Sequence, residues 1–305
     1  MIFFSIIIPT YNDLSNLKKC LKGLFRQNFD NFEIIVINDA STDGTSDYLD
    51  SLKKKNLSIH NLSENKGPAF SRNIGIKNSN GIWLSFLDSD DFWVKSRLDV
   101  VFKNIQFNNN YDVYCHNQTR KEIITKNIKK LYTGPYKKNF YKNLILQGNC
   151  LITSATVVKK KFIKNNDIYF RTDKKYYSVE DYDFWLNLAN SNAKFFFIPD
   201  FLGFYCIHKN NITTNILKHK KNYLSLLFNH IFKIQKFEKN RLSLWKKIYC
   251  KYLLENIIIY AFTIKNLTKS RSLFFITLKK FHMYFILSLF NYFWLKLQRT
   301  FRKIC

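Results

Sequence analysis

The densest cluster of reactive side chains is Phe86-Leu87-Asp88-Ser89-Asp90-Asp91, with three carboxylates in four positions directly after an apolar run. Like charges this close are costly unless a cation neutralises them. Hard divalent ions take carboxylate oxygens, and Mg²⁺ or Mn²⁺ shares them with substrate phosphates. The same residues also suit the cap and first turn of a helix near Trp93. In isolation the cluster supports metal binding and capping equally. A second acidic group, Val179-Glu180-Asp181-Tyr182-Asp183, opens a segment whose Phe184, Trp185 and Leu188 share a helical face. Adjacent carboxylates there are ordinarily caps, and one becomes a general-base candidate only if a cleft lies beside it.

Three further stretches carry polar groups in suggestive places. Asn38-Asp39-Ala40-Ser41-Thr42-Asp43-Gly44 follows an apolar run. Asp39 there can accept from a base imide or a ribose hydroxyl, whereas Asp43 reads as turn or cap chemistry. In Asn65-Lys66-Gly67-Pro68-Ala69-Phe70-Ser71-Arg72-Asn73-Ile74-Gly75, Pro68 suits a first helical position. Arg72 then sits one turn in, either aimed at a nucleotide or simply solvated. Tyr205-Cys206-Ile207-His208 ends in a histidine. It is either structural or a neutral imidazole that completes a metal site or contacts phosphate.

The elements that must position these groups alternate in type. Strands are expected at Phe3–Ile8, Phe32–Ile37, Leu57–Leu62 and Ile82–Leu87, and helices at Asp13–Gln27, Asp43–Lys54 and Pro68–Lys77. This order predicts a parallel sheet with helices on both faces and ligands beyond the carboxyl ends of its strands. Farther on, Tyr111–His116 and Leu151–Val158 read as strands, and Asn139–Leu146 and Asp181–Asn190 as helices. Residues 220–237, 241–264 and 272–300 read as helices rich in aromatics and Lys. Phe281–Leu295, free of formal charge and flanked by basic residues, suits either a membrane interface or a core helix.

The chain has 305 residues, 46% hydrophobic and 23% charged, which excludes a disordered or fibrous protein. Its net charge of +27 is unevenly placed: residues 1–100 are neutral, 101–200 carry +9 and 201–305 carry +18. The basic end favours a polyanion or an anionic membrane surface. The six cysteines are scattered without a C-x-x-C pair, so zinc and disulfide readings are weak and a reducing cytoplasm fits. The apolar opening Met1–Pro9 lacks a basic n-region and cleavage site and reads as a buried strand rather than a signal peptide.

In their order along residues 3–215, these motifs resemble glycosyltransferase family 2. The opening Ser5–Asn12, the Asn38–Gly44 segment, the N-x-G-x-x-x-x-R-N-x-G pattern at Asn65–Gly75, the D-x-D at Asp88–Asp90, Glu180-Asp181 and Tyr205–His208 carry the resemblance. Cys206 stands where the family usually has Arg.

The resemblance implies an α/β GT-A fold: a Rossmann-like mixed sheet flanked by helices, with a helical region after it. The catalytic domain would cover 1–215, with a nucleotide-sugar half at 1–94 and an acceptor half at 95–215. The basic aromatic region 216–305 would follow. Pro9, Thr10, Tyr11, Asp39, Lys66, Arg72, Asp88 and Ser89 would bind a nucleotide-sugar, most readily a UDP-sugar. Asp90, Asp88 and His208 would hold Mn²⁺ or Mg²⁺. Asp181 would be the base, with Glu180 orienting the site. The acceptor would be a lipid-linked or cell-surface glycan of the lipopolysaccharide or capsule kind. The enzyme would work on the inner face of the cytoplasmic membrane, with no nucleic-acid partner. Without a Q-x-x-R-W motif it would add one or a few sugars rather than extrude a polymer.

Two other readings compete with this one. A nucleic-acid-binding protein accounts for the charge and the aromatics, yet the excess charge is absent from the region with the ligand loops. A nucleotidyltransferase would need a Gly-rich loop after the first strand, where Pro9-Thr10-Tyr11-Asn12-Asp13 stands.

Overall fold

Strand β1 (Phe4–Thr10) is buried at every position. Such a run can lie only in the middle of a sheet covered on both faces. In a computed structural model of the chain it does. The residues described are 1–123, 125–134, 139–208, 216–263, 265, 267–279, 281 and 286. The chain divides into two compact units, Met1–His219 and Lys220–Cys305.

In the first unit β1 pairs in parallel with β2 (Phe32–Asn38) and β4 (Trp83–Phe86), and β3 (Leu57–Asn61) extends the sheet beyond β2. The even-numbered side of β1 and β2 (Ile6, Ile8, Ile34, Val36) packs on α1 (Leu14–Leu24), α2 (Thr45–Ser51) and α4 (Arg97–Phe107) through Leu17, Leu21, Leu49, Leu98 and Val101. The other side receives α3 (Pro68–Asn78). There Gly75 lets the helix approach so closely that a Cβ would lie 2.3 Å from Ile7 Cγ2.

Beyond β4 the sheet becomes mixed. Strand β8 (Thr156–Lys159) runs antiparallel to both β4 and β6 (Val113–Glu122). β9 (Phe195–Ile207) lies parallel to β6 and carries the short β5 (Phe92–Trp93) on its other edge. β7 (Ile128–Leu131) pairs with β6 off the main path. Three helices complete the unit: α5 (Phe140–Gln147), α6 (Lys160–Asn165) and α7 (Glu180–Asn190).

The expected parallel sheet is therefore the first half of a larger mixed one. The strand expected at Leu151–Val158 forms only in its second half, because Thr153–Ala155 is a 3₁₀ turn. Ser154 there accepts from Trp93 Nε1 through its carbonyl and from the Asp88 amide through its hydroxyl.

In the second unit α8 (Ile216–Asn229), which begins at the end of the first, runs into a π turn at His230–Ile234. Helix α9 (Arg241–Ile258) starts where the Asn240 side chain accepts from the Ser243 amide. A helix over 267–279 packs Leu273, Phe274 and Leu278 against Leu254 and Ile257. Apart from 281 and 286, the segment 281–295 lies outside the described residues. No described helix is long and apolar enough to cross a membrane.

Candidate active site

The order β3-β2-β1-β4 reverses direction at β1, so a crevice opens beyond the carboxyl ends of β1 and β4. The acidic cluster at 88–91 leaves β4 into this crevice. Here Arg72, only 5% exposed, donates to Asp88 Oδ1 at 2.7 Å and to Glu180 Oε1 at 3.3 Å. It rests on the Phe170 ring, 5.4 Å from its centroid. Asn73, the next residue, accepts from the Phe170 amide at 2.9 Å and donates to its carbonyl at 2.8 Å, so the Arg-Asn pair of α3 holds that ring in place. Burial alone would lower the Arg72 pKa, but Asp88 and Glu180 outweigh it and raise it. Burial lifts the Glu180 carboxyl, against the pull of Arg72. Arg72 Nε and Glu180 Oε2 are buried with no protein partner.

The three carboxylates of the cluster part company. Asp90 Oδ2 lies 2.8 Å from His208 Nε2, both side chains about a fifth exposed, at 21% and 22%. Burial and then Asp88 push the Asp90 pKa up to about 6, against the pull of His208. Asp91 is 1% exposed and accepts from the Cys206 amide at 2.9 Å. It is a structural pin between the tip of β4 and the end of β9. Cys206 is buried, and burial followed by Asp91 pushes its thiol up to about 12. It therefore offers an anion neither the charge nor the reach of an arginine. Ser89 donates to Asp13 Oδ2 at 2.8 Å.

On the other side of the crevice Asp39, 3% exposed, accepts from the amides of Lys66 and Gly67, each at 2.8 Å. In this state its carboxylate fastens the loop ahead of α3. Lys66 contributes its backbone there, while its ammonium pairs with Glu64 at 3.1 Å. Pro9 and Thr10 are buried at the end of β1, and the Thr10 hydroxyl is buried without a partner. Tyr11 is 49% exposed, as a ring available to cover a base would be. Its neighbour Asn12 accepts from the Thr42 amide at 2.7 Å, tying two loops of the crevice. Asp43 accepts from Leu14 and Thr45 at the starts of α1 and α2.

Asp181 stands at the start of α7, half-buried. It accepts from Asn149 Nδ2 at 3.3 Å and from the Tyr182 amide at 2.7 Å. Burial raises its pKa, against the pull of Arg72. The fold thus gathers Arg72, Asp88 and Glu180 into one network and Asp90 with His208 into another. Asp39 and Lys66 meet only through backbone amides. Sequence reasoning missed Asn149, Ser154 and Phe170, which reach the crevice from the second half of the unit. Of the residues that hold Phe170, only Asn73, in the N-x-G-x-x-x-x-R-N-x-G pattern, carried a readable signal.

Among the described residues no three His, Cys, Asp or Glu side chains are arranged to hold a metal by themselves. Asp90 with His208, and Asp88 two positions away, instead form a partial set of oxygen and nitrogen donors. Such a set suits a hard ion that completes its shell with phosphate oxygens. Mn²⁺ or Mg²⁺ fits on that chemistry.

The model of the family described as "Glycosyl transferase family 2" matches residues 5–165. An uncharacterized glycosyltransferase of Rickettsia conorii is 30% identical over 62% of this chain, and the match spans only 30% of that relative's length. The Escherichia coli protein WfgD, named a UDP-Glc:α-D-GlcNAc-diphosphoundecaprenol β-1,3-glucosyltransferase, is 28% identical over 86% of this chain and 96% of its own. In fold the chain is similar to Staphylococcus aureus TarS residues 1–349 solved with UDP. The TM-score is 0.62 and identity 22%, covering 87% of this chain and 74% of that one. The mixed sheet is accordingly of the GT-A type, and the chain belongs to glycosyltransferase family 2.

Proposed function

We propose that this protein transfers a hexose or N-acetylhexosamine from a UDP-sugar to a hydroxyl of a lipid-linked or cell-surface glycan, inverting the anomeric configuration in a metal-dependent reaction. The observation that carries this reading is the crevice itself: Arg72 joins Asp88 to Glu180, Asp90 meets His208, and Asp181 stands free of any ion pair among the described residues. The UDP bound by TarS and the lipid-linked diphosphate acceptor in the name of WfgD support the substrate classes.

Tyr11 covers the base, and the Asp39-fastened loop forms the wall beside it. Asp181 takes the proton of the acceptor hydroxyl as that oxygen bonds to the anomeric carbon. The bond to the diphosphate breaks on the opposite face, and its electron pair leaves on the phosphate oxygen. A carboxyl lifted by burial is a stronger base near neutrality than a solvated one. Glu180, held by Arg72, fixes the start of α7 that presents Asp181. Mn²⁺ or Mg²⁺, held by Asp90 and His208 with Asp88 beside them, would supply positive charge against the departing diphosphate. The basic second unit serves the acceptor side, keeping the enzyme on the anionic inner face of the cytoplasmic membrane.

A panel of UDP-, GDP- and dTDP-sugars, scored for Mn²⁺-dependent donor hydrolysis and transfer, tests the donor class. Asp181→Asn and Asp90→Ala are each expected to lower transfer by about 10²-fold or more. Near-normal turnover in either purified variant removes the role assigned to that residue.

A further inference from the structure

The turn just before Glu180 is held from an unexpected quarter. Ser178 adopts φ +70°, a left-handed conformation uncommon for a residue with a side chain. Such a conformation persists only where the surroundings enforce it. Besides the turn's own bond from the Val179 amide to the Tyr176 carbonyl, a side-chain contact holds it: His219 Nδ1, on the last residue of the first unit, lies 3.1 Å from Ser178 Oγ. One residue earlier on each side, Lys218 Nζ lies 5.5 Å from the centre of the Tyr177 ring. That ring in turn sits 3.9 Å from where a Cβ on Gly67 would be, beside the loop that Asp39 fastens. The 177–178 turn therefore lies beside the loop that Asp39 fastens and leads into the Glu180-Asp181 pair two residues later. Lys218 and His219, the last two residues of the first unit, contact both of its residues.

We propose that His219 is a positioning residue for the transfer reaction, setting through Ser178 the entry of the chain into α7 and thereby the placement of Asp181. The inference rests on the assignment of Asp181 as base. His219 touches no reacting atom, so its loss leaves donor binding intact and slows the step that needs an aligned base. Misplacement of that kind lowers turnover by about tenfold to a hundredfold.

The test uses the full chain, with UDP-glucose and a short-alkyl GlcNAc diphosphate as probes. His219→Ala and Ser178→Ala are each expected to lower kcat while the KM for UDP-glucose stays within about twofold. The double variant is no slower than either single one, since both break the same contact. His219→Asn, whose side-chain amide reaches the position of Nδ1, restores most of kcat. Hydrogen–deuterium exchange gives a readout free of turnover: the amides of 179–182 exchange faster in His219→Ala and return towards the parent rate in His219→Asn, with melting temperature unchanged. Unaltered exchange at these amides, or additive losses in the double variant, overturns the proposal. An inactive Asp181→Asn beside a normal His219→Ala overturns the positioning role alone. A fully active Asp181→Asn overturns the assignment beneath it.

Discussion

Asp90, proposed above as a metal ligand, weakens the folded chain at neutral pH. Its carboxyl lies near Asp88 and is mostly buried, with a folded pKa of about 6 against an ordinary 3.8. A raised carboxyl binds its proton more tightly in the folded state than in the unfolded one. Its contribution to stability is therefore present below about pH 4 and is lost as pH rises through 6. Asp90→Asn is expected to melt higher than the parent in metal-free buffer at pH 7 and at the same temperature near pH 4. Thermal melts in EDTA across that range decide it, and equal melting temperatures at pH 7 contradict the argument. Asp91, one position along, was legible as acidic but not as a pin. Nothing in the sequence shows that the Cys206 amide, 115 positions away, would meet it. The pairing of Arg72 with Glu180 was hidden for the same reason, since each motif was readable alone and their contact depends on tertiary packing.

At the scale of elements, the first half of the sheet was readable because its periodicity is unambiguous. Ile6, Ile7 and Ile8 are buried on both faces, while Leu17, Leu21 and Leu24 mark one stripe of α1. The second half was less so. β9 was not expected at all: it contains Pro199, which cannot donate to a ladder, yet the strand continues where β6 shifts register at Asn117 and the Asn117 side-chain amide donates to the Pro199 carbonyl. β5, two residues long, has no periodicity to read. Among the helices, α3 gives the sharpest prediction. Gly75→Ala would push a methyl into Ile7 and lift the helix that carries Arg72, costing about 1–3 kcal/mol. Urea unfolding measures the loss, and donor affinity should fall with it. An unchanged midpoint would mean that the helix approaches the sheet less closely than described.

Across the whole molecule, charge and chemistry are segregated. Residues 1–100, which supply most of the crevice, are neutral, whereas 201–305 carry +18. In the second unit Leu242, Leu267, Phe275 and Ile276 are exposed, and Lys269, Arg271 and Lys279 are exposed along the same helix as the last three of these. This mixture suits an anionic lipid surface at about 1 kcal/mol per nearby basic group. The full chain is expected to float with phosphatidylglycerol vesicles at low salt, to be released at about 0.5 M NaCl, and to ignore phosphatidylcholine vesicles. Failure to float at low salt would remove the membrane from the account. Oligonucleotide binding without sugar-nucleotide turnover would favour the rival reading.

Because β9 lies between β6 and β5, the sheet cannot close in the order in which it is made. On the ribosome, β5 emerges early and must wait, unpaired, until more than a hundred later residues have followed. Arg72 likewise emerges well before Glu180. A nascent chain stalled short of α7 would expose a half-built crevice in which Arg72 has Asp88 but not Glu180, beside an open strand edge. Strand pairing of such long sequence separation is slow, and the half-built sheet is exposed to aggregation until β9 arrives.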